Sequence, residues 1–214
     1  THYPLPTTHY PLPTTHYPMT RIALFGTSAD PPTSGHQAIL DWLSQRFDWV
    51  AVWASDNPFK SHQTPLEHRQ TMLRLLISEL DPPRHNISLN PELSSPRTLE
   101  TVRLAKQNWP HADLTFIIGS DLVTQLPRWY RVEELLQQVH LLVVPRPGYA
   151  IEDSSLDELR RMGASVAIAH FTPPPVSSTG YRQYRDRTNL TTTIEDYINR
   201  EQLYECQDAT PKKS

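Results

Sequence analysis

Short apolar runs alternate with helical patterns along the chain from residue 21 onward. Six of these runs are short enough to be single buried strands, and they cover residues 21–26, 49–55, 86–90, 114–119, 141–144 and 165–170. Strands that are apolar throughout are typical of a parallel sheet covered on both faces. The alternation therefore predicts a doubly wound α/β fold with a mostly parallel sheet, in a single domain.

Capping signals predict where several helices begin and end. A hydroxyl residue followed three positions later by Glu is found at residues 64–67, 155–158 and 192–195, and each pattern predicts a helix start. Gly163 is predicted to end a helix. The other five glycines are predicted to lie in loops or at strand ends: Gly26, Gly35, Gly119, Gly148 and Gly180.

Composition narrows the class of protein. The chain has 214 residues, enough for one substantial domain, and a net charge of −3 argues against a protein that mainly coats nucleic acid or anionic membrane. A single cysteine, Cys206, excludes an internal disulfide framework and a cysteine-rich zinc site, which favours a cytoplasmic protein. No apolar run approaches the roughly 20 residues that span a bilayer.

Residues 1–18 repeat the heptad THYPLPT and contain no Lys, Arg, Asp or Glu. The segment lacks the features of a secretory signal, and we expect an extended, solvated tail upstream of a natural start at Met19. A histidine-rich metal-binding tail is the alternative, but histidines seven residues apart on a proline-stiffened chain are poorly spaced for one site. We therefore predict a domain at residues 19–204, with a polar tail at 205–214.

The segment from Gly26 to His36 follows the first predicted strand and opens the first helix. A helix N-terminus offers unpaired N–H groups and the positive end of the helix dipole, so this position suits a phosphate. In parallel sheets, ligands also bind beyond the carboxyl ends of the strands. The alternative is a proline-rich turn whose histidine only decorates the surface.

This segment resembles the GTFDPxHxGH signature of nucleotidyltransferases that carry a (T/H)xGH motif. The matching residues are Gly26, Thr27, Asp30, Pro31, Gly35 and His36. Thr33 stands where the most similar family usually has its first motif His, although the wider superfamily also uses Thr there.

Five further segments resemble, in the same order, the motifs of bacterial nicotinate-nucleotide adenylyltransferases. They lie within residues 57–73, 97–102, 116–136, 143–148 and 176–182, and the likeness extends from 21 to 204. It implies a Rossmann-like nucleotidyltransferase domain. The implied reaction transfers the adenylyl group of ATP to nicotinate mononucleotide, giving deamido-NAD and pyrophosphate in NAD biosynthesis.

The same resemblance implies the site residues. His36 and Arg182 would be catalytic. ATP would contact Gly26, Thr27, Ser28, Thr33, Gly35, His36, Gly119, Asp121, Ser177, Ser178, Thr179 and Arg182. The mononucleotide would contact Lys60, Thr98, Asp121 and Trp129, with Trp129 stacked on the pyridine ring. Mg²⁺ would arrive with ATP, so no metal site in the protein is expected, and the partners would be ATP and nicotinate mononucleotide, without nucleic acid or membrane.

Several alternatives stay open. The acceptor could be nicotinamide mononucleotide or phosphopantetheine, or Thr33 could mark a nucleotide-binding protein with weakened catalysis. Aromatic and basic residues interleave at 181–187 as in nucleic-acid stacking platforms. Each site residue also has a structural explanation: Ser177 and Ser178 as helix caps, and Trp129 as core.

Overall fold

The computed structural model describes residues 19–56 and 63–204 of the chain. Six strands form one all-parallel sheet: β1 (Arg21–Thr27), β2 (Trp49–Ala54), β3 (Ile87–Leu89), β4 (Asp113–Gly119), β5 (His140–Val144) and β6 (Ser165–Ile168). Their order is β3-β2-β1-β4-β5-β6. The predicted doubly wound α/β fold is confirmed, and each predicted strand is present.

Seven α-helices in the described part of the chain connect and cover these strands. They are α1 (Ser34–Ser44), α2 (Leu66–Ser78), α3 (Thr98–Asn108), α4 (Val132–Leu136), α5 (Asp153–Arg161), α6 (Ser178–Tyr184) and α7 (Thr192–Arg200). Buried residues of α3, α4 and α5 pack on one face of the sheet. Those of α1, α2, α6 and α7 pack on the other. No helix among the described residues is long and apolar enough to cross a membrane.

Alternate residues of the strands serve the two cores. In β1, Ile22 and Leu24 belong to the α3–α5 face, whereas Ala23 and Phe25 belong to the α1–α2 face. All four are buried. Burial of both faces explains why these strands are apolar throughout rather than alternating with polar residues.

The sheet opens at its carboxyl edge between β1 and β4. The β1–β4 ladder ends at the pair Leu24 and Phe116, although both strands continue for three more residues. The β1–β2 ladder continues to Thr27. Because the strand order reverses at β1, the connections after β1 and β4 lead away in opposite directions and leave a crevice between them. The residues between β1 and α1, 28–33, are called the first loop below.

Three predicted helix starts are wrong in detail. Helix α5 begins at Asp153, so Ser155 lies inside it, and Leu156 and Leu159 both face the core. Helix α7 is capped by Thr191, whose side chain accepts from the Ile194 N–H at 3.4 Å, one residue before the predicted cap. Helix α2 likewise starts one residue later than expected.

Two glycines that were predicted to lie in loops are helical. Gly35 lies in the first turn of α1 and Gly180 in the first turn of α6. Gly163 follows Met162, the C-cap of α5, with a φ of 96°, a left-handed conformation that ends helices. The prediction for Gly163 is confirmed.

Candidate active site

His36 lies in the first turn of α1, at the carboxyl edge of the sheet, and both of its ring nitrogens are in hydrogen-bonding contact. Nδ1 accepts from the backbone N–H of Thr33 at 3.1 Å and lies 3.0 Å from the Thr33 hydroxyl. Nε2 lies 2.9 Å from Thr27 Oγ1. The end of β1 and the start of α1 are therefore joined through one imidazole ring.

These contacts determine the protonation of His36. A backbone N–H can only donate, so Nδ1 carries no hydrogen and the neutral ring carries it on Nε2. Burial, and secondly the positive charge of Arg146, lower the pKa of His36 to about 4. At neutral pH, His36 is thus an uncharged imidazole whose Nε2–H can donate.

Thr33 is 1% exposed and occupies the N-cap position of α1. Its backbone N–H and its hydroxyl both face Nδ1 of His36. The hydroxyl is therefore engaged with the ring, at the position where the motif otherwise has a histidine. A direct contact of Thr33 with ATP stays a prediction.

Helix α6 begins beside the first loop, and its first hydroxyls are already engaged. Ser177 caps the helix by accepting from the Gly180 N–H at 3.0 Å, as its structural explanation anticipated. Ser178 Oγ donates to the carbonyl of Pro31 at 2.7 Å. The second hydroxyl therefore fastens α6 to the first loop.

Arg182 adds a second link between α6 and the first loop. Its Nη1 donates to the carbonyl of Asp30, and its Nη2 donates to Thr179 Oγ1 at 3.2 Å. The side chain is otherwise exposed. The guanidinium is thus a forked cation held at the mouth of the crevice, a geometry suited to phosphate oxygens.

Gly35 permits this close approach of the two helix starts. A Cβ at Gly35 would lie 3.0 Å from Val176 Cγ2, in the segment that precedes α6. Gly26 has a different neighbour, because the space of its missing Cβ is filled by the Trp53 ring. In the described structure, the side-chain space at Gly26 therefore serves packing.

Asp121 follows β4 on the other side of the crevice. Its Oδ2 accepts from Arg146 Nη1 at 2.8 Å, while Oδ1 is buried and has no hydrogen-bond partner among the described residues. Gly119 makes this possible, since Asp121 Oδ1 and Arg146 Cδ occupy the space of a Cβ there. A buried acceptor without a donor is costly, so Oδ1 is suited to receive a ligand hydroxyl.

Thr98 and Trp129 lie on the other face of the sheet from α1 and α6. Thr98 is the first residue of α3, and Trp129 packs edge-on against Phe116 with ring centroids 6.3 Å apart. Trp129 also lines a cavity of about 460 Å³. The predicted site residues therefore form two groups, one on each side of the carboxyl edge.

The remaining predictions have mixed outcomes. Lys60, like Cys206, lies outside the described residues. The carbonyl of Ser28 accepts from Arg69 Nη1 at 3.0 Å.

Tyr181 is 5% exposed in the core, so the stretch 181–187 does not present both of its tyrosines as a stacking platform for nucleic-acid bases.

Arg69 supports the site, and although it lies in the motif at residues 57–73, the sequence did not predict this role. It is 2% exposed, and its guanidinium donates to the carbonyls of Ser28, Ser55 and Thr64, at 3.0, 2.8 and 2.8 Å. It thereby ties together the loops after β1 and β2 and the start of α2. Its burial could have been predicted from the sequence, because residues 69, 72, 73 and 76 have the spacing of one buried helix face.

Arg146 was also missed as a site residue, although its motif was noted. Its backbone N–H donates to Ser120 Oγ at 2.9 Å, and its guanidinium pairs with Asp121. The loop after β5 is thereby fastened to the loop after β4. Its charge also acts on His36 across the crevice.

Comparisons with known protein families and with individual relatives agree with one another. The profile of the cytidylyltransferase-like family matches residues 24–184. A probable nicotinate-nucleotide adenylyltransferase of Synechocystis is 42% identical over 86% of this chain and 98% of its own length. The nicotinate-nucleotide adenylyltransferase of Bacillus subtilis is 34% identical over 63% of this chain and 74% of its own.

Solved structures show the same fold. The Plasmodium falciparum nicotinic acid mononucleotide adenylyltransferase complexed with NaAD superposes with a TM-score of 0.76. The match covers 86% of this chain and 97% of that chain, at 21% identity. The same enzyme complexed with APC gives a TM-score of 0.73.

Proposed function

This chain belongs to the nicotinate-nucleotide adenylyltransferase family, and we propose that it transfers the adenylyl group of ATP to nicotinate mononucleotide. The products are deamido-NAD and pyrophosphate. The observation that carries this proposal within the structure is His36, a neutral N–H donor at a helix N-terminus, beside the crevice where the sheet divides.

The chemistry requires alignment and charge dispersal rather than a protein nucleophile. A 5′-phosphate oxygen of the mononucleotide forms a bond to the α-phosphorus of ATP, while the bond from that phosphorus to the bridging oxygen of the β-phosphate breaks. The electron pair leaves with pyrophosphate. Pre-positioned donors that face the leaving oxygens lower the barrier of such a transfer.

We assign the leaving pyrophosphate to the α1–α6 side of the crevice. His36 Nε2–H would move from Thr27 Oγ1 to a phosphate oxygen, and Arg182 would contribute its forked cation from α6. Neutral His36 can donate without first gaining a proton, because its pKa lies far below 7. The rest of the pyrophosphate side would be formed by the start of α6 and by the backbone around Gly26, Thr27, Ser28 and Gly35.

We assign the sugar and the pyridine ring to the β4 side. The buried Oδ1 of Asp121 would accept a ribose hydroxyl, and Trp129, backed by Phe116, would stack on the pyridine ring near Thr98. Mg²⁺ would enter as part of Mg-ATP. Within residues 19–56 and 63–204, no group of three or more His, Cys, Asp or Glu residues could hold a metal ion.

The test is pyrophosphate release by the full chain with Mg-ATP and one acceptor at a time. Nicotinate mononucleotide, nicotinamide mononucleotide and phosphopantetheine would be compared at equal concentrations, with Mg-ATP binding measured by calorimetry. We expect release with nicotinate mononucleotide at least tenfold above either alternative, and deamido-NAD as the product by mass.

Each of the other results would assign a different function to this protein. Preference for nicotinamide mononucleotide or phosphopantetheine would replace the acceptor and keep the transfer chemistry. Mg-ATP binding without release with any acceptor would identify a nucleotide-binding protein in an enzyme's fold.

A further inference from the structure

Asp30 is a buried carboxylate in the first loop that the transfer chemistry does not use. It is 3% exposed. Its Oδ1 accepts from the hydroxyl of Tyr204 at 2.6 Å, and its Oδ2 is 3.4 Å from the Thr64 N–H. Its backbone carbonyl accepts from Arg182. A buried carboxylate needs such donors, and here the shortest side-chain contact to it comes from residue 204.

Tyr204 contacts both helix starts of the crevice. Its hydroxyl reaches Asp30 in the first loop, and its ring packs edge-on against Tyr181 of α6 with centroids 5.7 Å apart. Burial, followed by the negative charge of Asp30, raises the pKa of Tyr204, so the phenol stays protonated and donates. The residue therefore bridges the loop that precedes His36 and the helix that carries Arg182.

The backbone at Tyr204, like that at Gln202, is in an unusual conformation. Its φ is 62°, in the left-handed region that residues other than glycine rarely adopt. The fold holds this unfavourable conformation where the hydroxyl meets Asp30. Outliers of this kind persist where surrounding contacts impose them, and they occur frequently at functional sites.

We propose that Tyr204 is a positioning residue of the transfer site, whose hydroxyl holds the Asp30 carboxylate and thereby fixes the first loop against α6. This inference rests on the proposed function for its kinetic readout. The Asp30 carbonyl orients Arg182, and the first loop leads directly into Thr33 and His36. A displacement of such groups by about 1 Å can lower the rate of a reaction about 10²-fold.

The experiment compares Tyr204→Phe with Tyr197→Phe in the full chain. Tyr197 is a matched control: its hydroxyl also makes one short hydrogen bond, 2.8 Å to His68 Nδ1, but its partner belongs to α2 and not to the first loop. Measurements are kcat and KM for both substrates, the Kd of Mg-ATP by calorimetry and Tm. We expect Tyr204→Phe to lower kcat about tenfold, with KM for nicotinate mononucleotide within about twofold of wild type. Both variants should lose a similar amount of Tm, and Tyr197→Phe should keep wild-type kcat.

The route through Asp30 is tested by a double variant. Asp30→Ala combined with Tyr204→Phe should be no slower than the slower single variant, because each change removes one partner of the same hydrogen bond. Additive losses would show that Tyr204 acts by another path and would overturn the proposal. Wild-type kcat in Tyr204→Phe, or an equal loss of kcat in Tyr197→Phe, would also overturn it, since each result leaves only a structural role.

Failure of the proposed function would be distinguishable. If the wild type binds Mg-ATP but turns over none of the acceptors, the Kd of Mg-ATP tests the positioning role of Tyr204 instead. In that case Tyr204→Phe should weaken Mg-ATP binding at least threefold more than Tyr197→Phe does. Equal affinities in the two variants would overturn the positioning role. Absence of Mg-ATP binding in the wild type would overturn both proposals.

Discussion

The first turns of α1 and α6 meet at one edge of the sheet but use their polar groups differently. In α1, the cap residue Thr33 directs its N–H and its hydroxyl at one ring, so that His36 has a fixed tautomer. In α6, Ser177 caps its own helix and Ser178 fastens that helix to the first loop. The start of α1 therefore orients a hydrogen-bond donor, whereas the start of α6 is fastened to the loop that precedes α1.

Both helix starts offer similar backbone groups, but their side chains differ in role. Those of α1 serve the reaction, and the first hydroxyls of α6 hold the elements of the site together. Loss of a group in α1 should impair the transition state, whereas loss of a hydroxyl in α6 should loosen the contact between the elements. Three changes test this distinction.

Removal of the oriented donor should have the largest effect. We expect His36→Ala to lower kcat by about 10² to 10³-fold, the cost of one pre-positioned transition-state donor, with the fold intact by circular dichroism. Pyrophosphate release measures the rate. His68→Ala, which removes a histidine bonded to Tyr197, is the control and should stay near wild type. A fully active His36→Ala enzyme would exclude His36 from the mechanism.

The protonation of His36 predicts a pH dependence of stability. Because its pKa is lowered to about 4 in the folded protein from 6.5, the unfolded chain binds more protons between these values. The free energy of unfolding should therefore fall as pH decreases from 6.5 towards 4, by at most about 3 kcal/mol from this residue at about 1.4 kcal/mol per pH unit.

Urea unfolding of wild type and His36→Asn at pH 7, 5.5 and 4.5 measures this contribution as a difference. The difference in unfolding free energy between the two proteins should shrink on acidification, because only the wild type carries the titrating ring. Parallel curves would show that His36 titrates alike in the folded and unfolded states.

Loosening of the α6 attachment should have the smallest effect. Ser178→Ala removes the hydrogen bond to Pro31, and we expect Mg-ATP affinity to fall about fivefold, from roughly 1 kcal/mol per hydrogen bond, with kcat within twofold. Ser78→Ala is matched to it, since Ser78 also donates to a carbonyl at 2.7 Å, outside the site. A drop in kcat as large as that of His36→Ala would erase the distinction between the two helix starts.

The strands and the edge that bears the site could be predicted because both follow from local pattern. Apolar runs marked each strand, and a glycine at the end of β4 marked the position of Asp121. Helix starts were less predictable, because hydroxyl residues recur within one turn: Thr191 and Thr192 are both plausible caps, and packing of Ile194 selects the former.

The supporting contacts could not be predicted, since they join distant residues. Tyr204 and Asp30 are 174 positions apart, and Arg182 and Asp30 are 152 apart. No local pattern encodes such pairs. Thr33 shows a second limit: the motif predicted that this residue lies in the site, but it did not predict the contact of its buried hydroxyl with His36. A sequence identifies a residue type at a site, but the direction of its hydroxyl depends on the packed neighbours.

The contact between Tyr204 and Asp30 also has a consequence for synthesis on the ribosome. The carboxylate of the first loop meets the hydroxyl of Tyr204 only after 174 further residues have been added to the chain. At about 5 to 20 residues per second, that interval lasts about 10 to 35 s. Throughout this time the nascent chain can pair β1 with β2, but the first loop lacks the contact from Tyr204. The crevice is thus completed during vectorial folding only after all six strands and all seven helices described above have been translated.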